Sequence, residues 1–186
     1  MAFGWGIWIL LAVLVLIVLI LIYYFNRLVV LNQRIKNSLS QIDVQLKKRA
    51  DLVPNLIETV KGYAKHEKSI MEKVTEARKA LMGAKDLVGR MKAGNSLNNA
   101  IGRLFAIAEN YPQLKANENF LNLQNELAAI EDKIAYARQF YNDSIQGYNM
   151  ACTTFPGLLF ARIFGMKEQE YLKIPEAQKA VPKVSF

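Results

Sequence analysis

One cysteine and one histidine are all that this 186-residue chain holds of the side chains most used in thiol and metal chemistry. Cys152 alone excludes an intramolecular disulfide and fits a reducing compartment. His66-Glu67 opens the HExxH zinc-protease pattern, but Ile70 stands where the second histidine belongs, so that motif is excluded and His66 reads as a solvated helix-face residue. A phosphate-binding glycine loop, a metal-ligand cluster and a nucleophile–base pair are also missing. No catalytic, cofactor-binding or metal-binding residue is therefore assigned, and no enzyme is expected. Proline is scarce, with five residues, and runs of β-branched residues are few outside one apolar stretch. What remains is rich in Ala, Leu, Glu, Lys, Gln and Asn, which points to an all-α chain.

Charge is absent from Phe3 to Phe25. At helical rise those residues cover roughly 34 Å, enough for a bilayer core. Trp5 and Trp8 mark one interface; Tyr23, Tyr24 and Phe25 mark the other. A cleaved signal peptide would need a basic start, a shorter apolar run and a small-residue cleavage site, none of which is found. Residues 1–25 are read as a single transmembrane helix.

Basic residues follow this span and do not precede it. Residues 26–50 hold Arg27, Arg34, Lys36, Lys47, Lys48 and Arg49 against Asp43 alone, a net +5 of the chain's +8. The positive-inside rule then puts the N-terminus outside and the C-terminal domain in the cytoplasm of a bacterial inner membrane. Arg27, Arg34 and Lys36 are the candidate lipid-headgroup contacts, at about 1 kcal/mol per basic residue near an anionic surface. Nucleic acid is not the expected partner, because no aromatic platforms interleave with these charges.

From Leu28 to Tyr63 two heptad lines share one helix face. One holds Leu28, Ile35, Ile42, Arg49, Leu56 and Tyr63; the other holds Leu39, Leu46, Val53 and Val60. The register runs through Pro54, so the helix is expected to kink there and continue, making one rod with the span. Arg49 lies on an otherwise apolar line and either snorkels or pairs with a carboxylate from a later helix. A second helix is read from Ile70 to Met91, a turn at Lys92–Asn95 around Gly94, and a short helix with Ser96 as N-cap that ends at Tyr111-Pro112. The last long helix starts at Asn117 as N-cap, with stripes Phe120, Leu127, Ile134, Tyr141, Tyr148, Phe155 and Leu123, Ile130, Ala137, Ser144, Ala151. It is expected to pair antiparallel with the first rod, with Leu56 and Tyr141 in one core. Residues 26–165 are thus a helical bundle and 166–186 an extended tail. Between them Leu158, Leu159, Phe160, Ile163 and Phe164 form an apolar patch that can cap the bundle, dock on a neighbour or lie in the membrane interface. This patch is the candidate self-association surface.

The segments Ser40-Gln41-Ile42-Asp43-Val44-Gln45-Leu46-Lys47-Lys48-Arg49, Asp51-Leu52-Val53-Pro54-Asn55-Leu56 and Lys61-Gly62-Tyr63-Ala64 come first. Leu114-Lys115-Ala116-Asn117-Glu118-Asn119-Phe120, Tyr141-Asn142-Asp143, Phe155-Pro156, Phe164-Gly165, Lys167-Glu168 and the closing Pro182-Lys183-Val184-Ser185-Phe186 follow in order. Together they resemble the bacterial LemA family over essentially the whole chain. The resemblance implies an N-terminal membrane helix and a helical-bundle domain, and no catalytic set. Two functions are expected. One is a membrane-anchored scaffold that self-associates and organises or shapes the membrane. The other is an adaptor presenting the bundle to a membrane protease or signalling partner. The lipid bilayer and further copies of the chain are the expected partners.

Overall fold

The structure, a computed structural model, describes residues 2–172, with side chains from Trp5 onward. Most of the expected tail, with the closing Pro-Lys-Val-Ser-Phe, lies outside the described residues. Among those residues there are six helices and no strand: α1 Ala2–Tyr63, α2 Lys68–Gly83, α3 Leu87–Ala108, α4 Pro112–Lys115, α5 Glu118–Thr153 and α6 Gly157–Ile163. The all-α class and the single long first helix are as the sequence predicts. Two compact units share this chain: residues 40–137 form one, and residues up to Leu39 together with those from Arg138 form the other. Helices α1 and α5 each contribute to both.

In the 40–137 unit, the α1 stripe is buried as the heptads require: Ile42, Leu46, Arg49, Val53, Leu56 and Val60 are all in the core. Tyr63 departs from its line and is exposed, its hydroxyl accepting from Asn117 Nδ2 at 3.0 Å. That bond, and the ion pair of Arg49 with Glu131, set α1 and α5 antiparallel in this unit. Ile70, Met71, Val74 and Leu81 of α2 and Met91, Leu97, Ile101 and Leu104 of α3 supply the rest of the core. Phe105 meets Phe120 edge-on, ring centroids 5.6 Å apart. Leu56 and Tyr141 are both buried but belong to different units, which corrects the expectation of one shared core. Antiparallel pairing explains this: Asn55, Glu58 and Thr59 face Asn119, Asn122 and Glu126 across a groove, at the opposite end of α5 from Tyr141.

Helix α1 continues through Pro54. Proline has no N–H, so the carbonyl four residues earlier, that of fully buried Ala50, loses its helical donor. Arg78 of α2 replaces it, donating from Nε to the Ala50 oxygen at 2.7 Å. The interruption in the helix ladder is thus closed from a neighbouring helix.

The expected turn at Lys92–Asn95 is not there. Helix α2 stops at Gly83 and α3 runs unbroken from Leu87, so Ser96 is no cap and Val88 is exposed. Asp86 caps α3 instead, its carboxylate accepting from the Gly89 amide at 3.2 Å. Gly94 has a different reason to be glycine. It is buried inside α3, a Cβ there would sit 2.8 Å from Leu46 Cδ2, and its carbonyl accepts from Arg49 Nη1 at 3.3 Å. It is a point of close helix approach. The expected cap at Asn117 is present, its Oδ1 accepting from the Phe120 amide at 3.0 Å. Helix α3 ends three residues before Tyr111, and Pro112 opens the single turn of α4.

In the other unit, Leu28, Ile35 and Ser38 of α1 are buried with Tyr141, Ser144, Ile145, Tyr148, Asn149, Ala151 and Cys152 of α5. The buried set on α5 is wider than the two predicted lines, and Phe155, at the end of one of them, is 82% exposed. A heptad reading drifts by about 20° per repeat on a straight helix, which brings Ile145, Asn149 and Cys152 inward.

Candidate membrane-interface site

The membrane-proximal end of the second unit gathers the features the sequence marked for function. Apolar side chains from Trp5 to Phe25 are mostly exposed, among them Trp5 at 75% and Trp8 at 73%. This is the pattern of a helix whose apolar surface has no protein to cover it. The first helix is the one candidate membrane span among the described residues. Arg27, Arg34 and Lys36 follow, all exposed on α1.

Against the aromatic end of that span sits α6. Helix α5 ends at Thr153, and the chain reverses through Phe155-Pro156, a cis peptide, into Gly157. A Cβ on Gly157 would lie 2.1 Å from the Ala151 carbonyl oxygen, so only glycine fits this reversal. At the far end of α6, Gly165 takes φ +66°. The Met166 amide reaches back to the Ala161 oxygen at 2.8 Å, and the Gly165 amide to that of Arg162 at 3.2 Å, which is a Schellman cap. A helix of only seven residues is thus fixed at both ends by a glycine.

The two faces of α6 have different surroundings. Phe160 stacks on Tyr24 with ring centroids 4.7 Å apart and planes at 15°, and Phe164 meets Phe25 edge-on at 5.0 Å. Tyr23 in turn meets Tyr24 edge-on at 5.3 Å. Each such pair adds about 0.5–1.5 kcal/mol beyond its buried area. Leu159 and Ile163 point outward, 50% and 66% exposed. The predicted patch is therefore divided: Phe160 and Phe164 are turned onto α1, Leu158 is half-buried, and Leu159 and Ile163 are free. Beside it runs a groove of about 280 Å³, with Tyr24, Arg27 and Leu31 of α1 on one side and Gly147, Met150 and Phe155 on the other.

After α6 the chain returns along α5, held by two asparagines that sequence reasoning did not single out. Asn149 donates Nδ2 to the Gln169 carbonyl at 2.9 Å and accepts the Gln169 amide on Oδ1 at 2.8 Å. Asn142 does the same to Leu172, at 3.2 and 2.9 Å. Gln169 Nε2 also donates to Asn32 Oδ1 at 3.1 Å. Neither lies on the two apolar stripes read from the sequence, so periodicity alone does not point to them.

Burial pushes the Tyr148 hydroxyl up to about 12, with the adjacent Cys152 adding to the effect. Burial also pushes the Cys152 thiol up, so it is not a thiolate at neutral pH. In the 40–137 unit, burial pushes the Arg49 guanidinium down to about 10, which leaves it charged at neutral pH beside Glu131. Of the two readings of Arg49, pairing with a later carboxylate is the one observed.

The sequence profile of the LemA family matches residues 38–186. The magnetosome protein MamQ of Magnetospirillum gryphiswaldense is 28% identical over 184 residues, covering 85% of this chain and 68% of MamQ. Protein LemA of Metamycoplasma hominis is 28% identical over 155 residues, covering 80% of this chain and 68% of that protein.

Proposed function

This chain belongs to the LemA family and is a membrane-associated member of it, and from that premise we propose a non-enzymatic scaffold, anchored by α1, that self-associates and organises or shapes the bacterial membrane. The observation that carries the reading is one line on α1. Ile9, Leu16, Tyr23 and Val30 follow one another at intervals of seven and are 64%, 57%, 59% and 59% exposed. The line leaves the apolar span, crosses the aromatic belt and continues into the helix beyond it. An apolar seam that persists where water begins has a use if a second α1 lies against it.

The test is the number of copies per particle when the full chain is reconstituted in vesicles at low density. Stepwise photobleaching should give a multi-copy particle for wild type and single steps for Val30→Asp, with unchanged helical content. Single steps for wild type would overturn self-association and leave the adaptor reading, with the bundle presented to a different membrane protein.

The orientation belongs to the same proposal: N-terminus outside, bundle in the cytoplasm, from the six basic residues against one acidic in positions 26–50. Fusions at Phe186 should give activity for a reporter that works in the cytoplasm. Activity of one that works only outside would reverse the topology.

A further inference from the structure

We propose that the groove between α1 and the end of α5 is a seat for one anionic phospholipid of the leaflet next to the bundle. Its phosphate would lie against Arg27 and an acyl chain along Met150 and Phe155. The proposal rests on membrane anchoring of the chain but not on its self-association.

Three observations converge on that occupant. The first is depth. Phe160 and Phe164 rest on Tyr24 and Phe25, the residues that close the apolar span, so α6 and the groove lie at the level of the interface. Arg27 is two residues beyond Phe25, about 3 Å further along the helix, which is phosphate depth. The second is the outward surface. Phe155, Leu159 and Ile163, four residues apart, are 82%, 50% and 66% exposed. At this depth such a line is continuous with the apolar surface of the span and meets acyl chains, not bulk water. The third is the cavity. Its walls combine one cation with the apolar side chains of Tyr24, Leu31, Met150 and Phe155, and glycine at 147 leaves it open. A Cβ at Gly147 would find only Leu31 Cδ2, at 3.9 Å, so the space belongs to no side chain. An amphiphile with a negative head and an apolar tail fits such walls; a soluble anion has no use for the tail end. Arg27 makes no ion pair among the described residues, so its charge is free for the head.

The experiment uses the full chain in nanodiscs of equal phosphatidylglycerol and phosphatidylcholine, transferred to mild detergent and weighed by native mass spectrometry. Wild type should keep one phosphatidylglycerol per chain, with at least tenfold preference over phosphatidylcholine. Arg27→Gln should remove the preference. Gly147→Leu, which fills the groove, should remove both lipids, with helical content unchanged. Arg162→Gln, which removes an exposed cation of α6 that does not line the groove, should behave as wild type. Equal retention in wild type and Gly147→Leu would overturn the site. So would equal losses from Arg27→Gln and Arg162→Gln, which would mean diffuse attraction to the membrane surface. A dimer that disappears on Leu159→Asp, with no retained lipid, would assign the surface to a second copy and overturn the proposal as well. Failure of the wild type to enter nanodiscs would count against membrane anchoring itself, and is read separately from lipid retention.

Discussion

Glu131→Ala is expected to lower the stability of the bundle by about 3 kcal/mol, and Arg49→Met added to it should recover most of the loss. Arg49 is 2% exposed and charged, with two partners: the Glu131 carboxylate and the Gly94 carbonyl. Removing one member of a buried pair leaves a charge without compensation and costs about 3–5 kcal/mol. The Glu131 side chain is 40% exposed, so water screens part of the pair and the lower end of that range applies. Methionine fills much of the arginine volume without a charge, and replacing a whole buried pair by apolar groups is often neutral or better. Chemical denaturation of the single and double variants is the measurement. If Glu131→Ala changes stability by less than about 0.5 kcal/mol, the range of ordinary surface positions, the pair contributes nothing. If the double variant is no better than the single, the cost lies elsewhere than in an uncompensated charge.

The second large effect concerns Pro54. Arg78→Met should cost about 1–3 kcal/mol, the penalty of a buried carbonyl left without a donor, because the Ala50 oxygen has lost its helical partner to Pro54 and receives Arg78 Nε instead. In a Pro54→Ala background the helix N–H returns, and the same Arg78→Met change should cost much less. The two positions must therefore couple, by at least about 1 kcal/mol, in the range found for groups sharing one hydrogen-bond network. Strictly additive effects would show that the arginine is not completing the proline's helix.

That coupling also shows where a sequence reading stops. The heptad lines predict the burial of Ile42, Leu46, Val53, Leu56 and Val60 and the continuation through Pro54, because apolar periodicity is written in the chain itself. Which side chain would satisfy Ala50 is not written there, since Arg78 is twenty-eight residues away on another helix. The misplaced turn has a similar cause. Gly94 looks like punctuation by composition, yet its smallness serves the approach of Leu46 and Arg49, while the real break at residues 84–86 is marked only by Gly83, which reads equally well as a weak position inside a longer helix. At the membrane end the apolar span, its aromatic border and Arg27 were legible. The division of the 158–164 patch was not. It depends on the turn geometry at Gly157, which decides that Phe160 and Phe164 face α1 and leaves Leu159 and Ile163 outward.

The two asparagines that hold the chain after α6 have a consequence for how this protein can vary. Each amide meets one N–H and one C=O of residues 169 and 172, groups that every residue but proline presents alike. Seven residues of helix advance about 10 Å and three residues of extended chain advance about as far, so the two grips stay in step without reference to side chains. The instruction for where this segment lies is therefore carried by Asn142 and Asn149 on α5. Apart from Gln169, whose side chain also reaches Asn32, the two grips ask nothing of the side chains they hold, so any residue but proline at position 172 presents the same groups to Asn142.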